Sequence, residues 1–268
     1  SQVAKNLALS GFSITVADER PATKAPGLAL LSGLPLTDGV CGGVEEGLTV
    51  GEMAVRSLSA LNPLAKMAAV SFEDHSDEFL KSFDLIVASR MSLSEAVALG
   101  SRCRHLGVNF TTIRSHGPFS VVIQDHGSDF AYVLDEKQGV DGAEGKKGDE
   151  SSEVRHVSFP TIEDAVAFSA WSSISHRLSH PLFLALCVLD DSIRVDDDVE
   201  GRYHEERVRE KLCAKGCDDA WHDSTISFLS ELLPVWSTVD YAAAAIAGGE
   251  IALDLIRLVS HRGEPACN

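Results

Sequence analysis

Apolar positions near the start of the chain fall first at helical and then at alternating spacing. Val3, Leu7 and Leu9 pattern a helix over 2–10, Gly11 ends it, and Phe12, Ile14 and Val16 alternate toward the acidic Asp18. Helix, glycine, strand, acid is the order that follows the glycine turn of a dinucleotide-binding unit, where the acid accepts ribose hydroxyls. Neither that glycine turn nor the strand before it precedes the run. Leu28 to Leu36 is a short apolar stretch, and Thr37 to Gly51, with glycines at 39, 42, 43, 47 and 51, reads as a surface loop. Helical spacing resumes from Met53 to Leu61 and stops at "LNP", because Pro63 disfavours a helical residue before it. Ala68 to Phe72 fits a short strand, and "DLIVAS" is the continuous apolar run of a strand covered on both faces of a parallel sheet. Ser94 to Leu106 reads as a helix with Gly107 as its C-cap, "VNFTTIRS" as a β-branched strand, and "FSVVIQDHGSDFAYVL" as a hairpin around a polar turn.

The second half changes character. Residues 135–153 form a glycine-rich, charged insert, "DEKQGVDGAEGKKGDESSE", with almost nothing to bury, and mobility is expected there. Val154 to Phe159 fits a strand; helices then dominate, over about 161–176, 179–190, 202–214 and 223–233. The last, Asp240 to Ser260, holds Gly248 and Gly249 in its interior, each costing about 1 kcal/mol relative to Ala. Close approach of another element, from the same chain or a second subunit, would offset that cost. The organisation expected is an α/β fold with a mostly parallel sheet, an antiparallel hairpin and flanking helices. A Rossmann-like half spans 1–134, the insert 135–153, and a mainly helical remainder, 154–268, packs on the same sheet.

Composition narrows the partners. The 23 basic and 40 acidic residues give a formal charge of −17, which argues against nucleic acid and anionic membranes, both of which select clustered Lys and Arg. No stretch approaches the roughly 18 apolar residues of a membrane span, and no signal peptide is visible. The six cysteines, at 41, 103, 187, 213, 217 and 267, are scattered; Cys213 and Cys217 form the one close pair, with no second pair to complete a four-thiolate zinc site, so free thiols in a reducing compartment are expected.

Catalytic patterns are sparse. No G-x-S-x-G elbow accompanies the ten histidines; His116 and His126 flank the hairpin as loop histidines, and His176 and His180 stand four apart at a helix boundary without further ligands. The acidic connection "DDSIRVDDDVEGR" lacks the glycine and final glutamate placement of a calcium loop. Asp18 is the one acid at a position with a chemical meaning, and without a backbone phosphate cradle it reads as vestigial.

Taken in order, "AKNLALSGFSITVADE", "LNP", "FDLIVAS", the hairpin, the charged insert, "LLPVWS" and "AGGEIALDLIRLVSHRGEP" resemble the ubiquitin-like modifier-activating enzymes of the ThiF/MoeB-type adenylating superfamily. Within it the chain is most like the small, non-catalytic subunits of the heterodimeric SUMO-type activating enzymes. The resemblance implies a Rossmann-like adenylation fold and pairing with a larger catalytic subunit that carries the thioester cysteine. That partner would bind ATP and magnesium and adenylate the ubiquitin-like modifier, which this chain meets only through the complex. No cofactor is implied for this chain alone, and the setting implied is nucleus and cytoplasm. Carried over by residue, Asp18 matches the strand-end acid, Asn62–Pro63 the "NP" after the helix, and Gly248–Gly249 the glycine pair of a late helix near the subunit contact, so that Ile246, Gly248, Gly249 and Ile256 are interface candidates. The active pattern is broken where "ERPATKAPGLALLSG" stands in place of an asparagine and an Arg-Gln pair. It is broken again at "ASRMSLSE", which leaves Arg90 as a lone surface cation. Alternatives are the regulatory subunit of a Nedd-type activating enzyme, a ThiF/MoeB-like homodimer, an NAD(P)-dependent oxidoreductase whose ribose acid is Asp18, and a scaffold with a degenerate Rossmann fold.

Overall fold

The computed structural model describes residues 2–22, 47–72, 76–134, 153–166, 205–214, 219–235, 238 and 240–266. The apolar stretch at 28–36, His176, His180, the helix over 179–190, the acidic connection and all of the insert except Glu153 lie outside them.

Local sequence sets most element ends. Helix α1, Gln2–Leu9, leads through Gly11, at φ 89°, into strand β1, Ile14–Val16. Helix α2, Val50–Leu61, starts earlier than the apolar spacing alone implies, inside the stretch read as a loop. A capping box starts it there: Glu52 N–H donates to Thr49 Oγ1 at 3.2 Å and Thr49 N–H to Glu52 Oε2 at 2.8 Å. After β2, Met67–Ala69, and a short α3, Asp77–Leu80, come β3, Leu85–Ser89, and α4, Leu93–Leu106. A second box, Ser92 with Glu95, opens α4, and Gly107 closes it in the left-handed region at φ 73°, as its sequence predicts.

The chain is a mixed α/β protein with both parallel and antiparallel pairing. β1 runs parallel to β2, and β3 parallel to β4, Asn109–His116; β4 pairs antiparallel with β5, Phe119–Asp125, through the turn at Gly117–Pro118. The hairpin therefore forms one strand earlier than the sequence pattern suggests. β6, Phe130–Leu134, pairs with β7, Glu153–Val157, not with β5. The polar stretch between β5 and β6 bends the chain away instead: Gly127, at φ 88°, donates its N–H to Asp125 Oδ1 at 3.1 Å, and its carbonyl accepts from Phe159 N–H at 2.9 Å.

Among the described residues, three apolar clusters hold these pieces. Ala8, Val50, Ala54 and Leu58 pack α1 and α2 onto Ile14, Val16 and Met67. Ala88, Cys103, Phe110, Ile123 and Ile162 join β3, β4, β5 and α4 to the start of α5, Ile162–Val166. Gly100 permits that approach, because a Cβ there would lie 2.8 Å from Ile162 Cγ1. The third unites Phe130, Tyr132 and Phe159 with Leu258 of the last helix. Leu85, Ile86 and Val87 of β3 are only half-buried, where the apolar run implies cover on both faces; among the described residues β4 is β3's one strand partner. Helices α6, Glu205–Ala214, α7, Asp219–Leu232, and α8, Tyr241–Ser260, complete the described chain. Asp240 caps α8 by accepting from Ala243 N–H at 2.9 Å; His261 ends it at φ 54°.

Candidate functional site

Asp18 lies two residues past β1, beyond the carboxyl end of the strand, where ligands gather in open α/β sheets. Its backbone is anchored by α2: Gly51 N–H donates to Asp18 O at 2.9 Å, and Val50 N–H to Arg20 O at 2.8 Å. Glycine at 51 suits this approach, since a Cβ there would press on Asp18 O at 3.2 Å. With Glu52 N–H taken by Thr49, each of these first-turn donors of α2 is satisfied within the chain, so none is left over for an anion.

The Asp18 carboxylate is itself occupied. Arg20 donates from Nε to Oδ1 at 2.9 Å and from Nη2 to Oδ2 at 2.7 Å, and its backbone N–H also reaches Oδ1 at 3.2 Å. A bidentate guanidinium fork of this kind is among the stronger polar contacts a protein makes. A ribose hydroxyl would have to share these oxygens with Arg20, since Oδ1 already accepts twice and Oδ2 once. Arg90, just beyond β3, completes the group. It is half-buried with a left-handed backbone, φ 64°, and burial lowers its guanidinium to about 10, aided by repulsion from Arg20 and opposed by Asp18. The expectation of a lone surface cation is thus corrected: Arg90 is half-buried and within electrostatic reach of Arg20 and Asp18. Because Arg90 follows the apolar strand and precedes the Ser92 cap, its sequence neighbours give no hint of that placement.

The interface candidates divide between two sides of α8. Gly248 is buried against α1, where a Cβ would fall 2.5 Å from Gln2 Cβ, and its carbonyl accepts from Asn6 Nδ2 at 3.3 Å. The element that approaches this glycine belongs to the same chain. Gly249 faces the other way, with nothing within 4 Å of a Cβ placed on it. Ile246 is 71% exposed and Leu253 45%, so an apolar stripe with Gly249 at its middle runs along the outer side of α8; Ile256 is half-buried. Asn62 donates from Nδ2 to Ala8 O at 2.8 Å, which gives the "NP" asparagine a structural task, fastening the end of α2 to the end of α1.

His126 departs furthest from its reading as a loop histidine. The ring is buried, edge-on to Phe159 at 4.6 Å, and its Nε2 lies 2.7 Å from Gln124 Oε1. Burial drives its pKa down to about 3. Next to it Asp125, equally buried, takes a 2.5 Å contact from Arg104 Nη1, which also donates to Phe159 O at 3.2 Å. Burial raises Asp125 above the usual carboxylate range, against Gly127 N–H and Arg104. Gln124 Nε2 donates to Asp254 of α8 at 2.7 Å, so this polar group ties α4, β5 and α8 together. Among the described residues no cluster of three or more His, Cys, Asp or Glu side chains is arranged to hold a metal ion, and no helix is long and apolar enough to cross a membrane.

No protein-family model matches the chain. Along its whole length it is similar to SUMO-activating enzyme subunits 1B-1 and 1B-2 of Arabidopsis thaliana, each 28% identical over 286 aligned positions that take in 100% of this chain and 80% of theirs. Subunit 1A of the same plant is 27% identical over 285 positions, again with 100% and 80% covered. Among solved structures, a crystal structure of E. coli MccB with MccA-N7isoASN aligns with 98% of this chain, at a TM-score of 0.44 and 12% identity, the match spanning about half of that longer chain (54%). The likeness to ubiquitin-like modifier-activating enzymes read from the sequence thus recurs in full-length similarity to their subunits.

Proposed function

We propose that the chain is the non-catalytic subunit of a heterodimeric SUMO-type activating enzyme, docking on a larger subunit that binds ATP and magnesium, adenylates the modifier and carries the thioester cysteine. The modifier reaches this chain only through the complex, and the complex works in nucleus and cytoplasm. The observation that carries the reading is the Arg20–Asp18 fork: the carboxylate placed to hold a ribose already has both oxygens engaged, 2.9 and 2.7 Å from Arg20. With that carboxylate held by Arg20 and the first-turn donors of α2 already paired, no step of the adenylation is assigned to these residues. What the chain offers instead is the outer stripe of α8. Ile246, Gly249 and Leu253 form a shallow apolar strip flanked by Ile256, and a second subunit's backbone can approach closely at Gly249.

A ThiF/MoeB-like homodimer would bind ATP by itself and an oxidoreductase would bind NAD by itself; either use of Asp18 has to share a carboxylate that Arg20 already holds. A Nedd-type regulatory subunit differs only in its partner. The experiment mixes the purified chain with the large subunit and the modifier, and follows co-elution and ATP–pyrophosphate exchange. Exchange is expected only from the mixture. Gly249→Leu should abolish co-elution without lowering the melting temperature of the isolated chain, because no in-chain neighbour stands within 4 Å of that Cβ and Leu is the better helix former. Exchange by this chain alone, or assembly unchanged by Gly249→Leu, would refute the respective half of the proposal.

A further inference from the structure

We infer that Cys213 is a site of reversible thiol modification by small disulfides, with His222 taking the thiol proton. Cys213 is exposed in the last turn of α6, and its Sγ lies 3.8 Å from Nε2 of His222, in the first turn of α7. His222 is 5% exposed, so packing holds its ring in place against the sulfur. Arg209, one turn before Cys213, reaches Asp223 Oδ1 through both terminal nitrogens at 3.5 Å and closes the two helices at the level of the pair. The pair therefore joins a solvent-open nucleophile to a sheltered base at hydrogen-bonding range, the arrangement that activates a nucleophile.

Cys103 supplies the contrast within the same chain. It is wholly buried, and burial pushes its thiol up to about 11, which leaves it inert. At Cys213 the step is thiol–disulfide exchange with a glutathione-type disulfide. The thiol proton passes to His222 Nε2 and the thiolate attacks one sulfur of the disulfide. A new S–S bond forms as the old one breaks, and the departing thiolate takes the proton back from His222. The Cys213 sulfur is oxidised and the departing sulfur reduced, with no further reactant.

Oxidised glutathione is the probe. Lys211 and Lys215 bracket Cys213, so trypsin releases it in a short peptide of its own for mass spectrometry. In the folded 268-residue chain Cys213 is expected to react about tenfold faster than in the same chain unfolded in urea, a modest share of what a positioned base supplies. Cys103 should stay unmodified until the chain unfolds. Substitution His222→Gln should bring the folded rate down to the unfolded one at an unchanged melting temperature. Equal folded and unfolded rates in the unaltered chain overturn the inference, and so does a folded His222→Gln variant that reacts at full speed. Should His222→Gln fail to fold, the folded-to-unfolded ratio of the unaltered chain decides alone.

Discussion

Two adjacent residues, Asp125 and His126, set how the protein answers acid. In the folded chain His126 is neutral down to about 3, whereas an unfolded histidine takes up its proton near 6.5. A lowered value means that the unfolded chain binds the extra proton. The stability His126 contributes is therefore complete above pH 6.5 and is lost as pH falls from 6.5 toward 3, by about 3 kcal/mol at pH 4.5. Asp125, raised by burial, has the opposite sign: its share is present in acid and declines as pH climbs through its folded value. Urea titrations between pH 7 and 4.5 should show the unaltered chain losing stability faster than His126→Phe. The variant is lower at neutral pH because Gln124 Oε1 loses its partner, yet its curve is the flatter one; parallel curves would disprove the assignment. None of this was readable from "DHGS", which has the composition of an exposed turn. His126 is drawn inside by Phe130 and Phe159, the latter more than thirty residues away, and no local pattern carries such a contact.

Secondary-structure elements were legible to the extent that their ends are written locally. Gly107 as a left-handed cap, the β-branched run of β4 and the long final helix all follow from neighbouring residues. The start of α2 was legible too, although through T-x-x-E and not through apolar spacing; weighing Thr49 and Glu52 moves the helix start from 53 to 50. Strand partnership was not, because β5 and β6 alternate equally well and only the bend at Gly127 and the position of β7 decide which pairs form. The two capping boxes give a direct check. Thr49→Ala and Ser92→Ala should each lower stability by about 1 kcal/mol in chemical denaturation. Ser92 should be the costlier, since it is buried where Thr49 is accessible and water replaces its bonds less easily. Equal, negligible losses would mean that the ends of these helices are held by packing alone.

Among the described residues, a contact between α1 and α8 ties together segments more than 240 residues apart. Gly248 sits against Gln2, and Asn6 donates to the Gly248 carbonyl at 3.3 Å. The paired glycines, indistinguishable in the sequence, thereby acquire different duties. Gly248→Ala should destabilise the chain by about 1–3 kcal/mol, because Gln2 or the helix must shift to admit the methyl group. Gly249→Ala should raise stability by up to about 1 kcal/mol through helix propensity. Thermal melts of the two variants in opposite directions are expected; a matching shift would sink the distinction. This pairing also governs when the protein can finish folding. An eight-residue helix is too short to persist by itself in water, and α1 finds the α8 part of its platform about 240 residues downstream. On a translating ribosome, therefore, α1 waits for α8 to be made before it is secured, and until then the apolar face it shares with β1 stays open to chaperones.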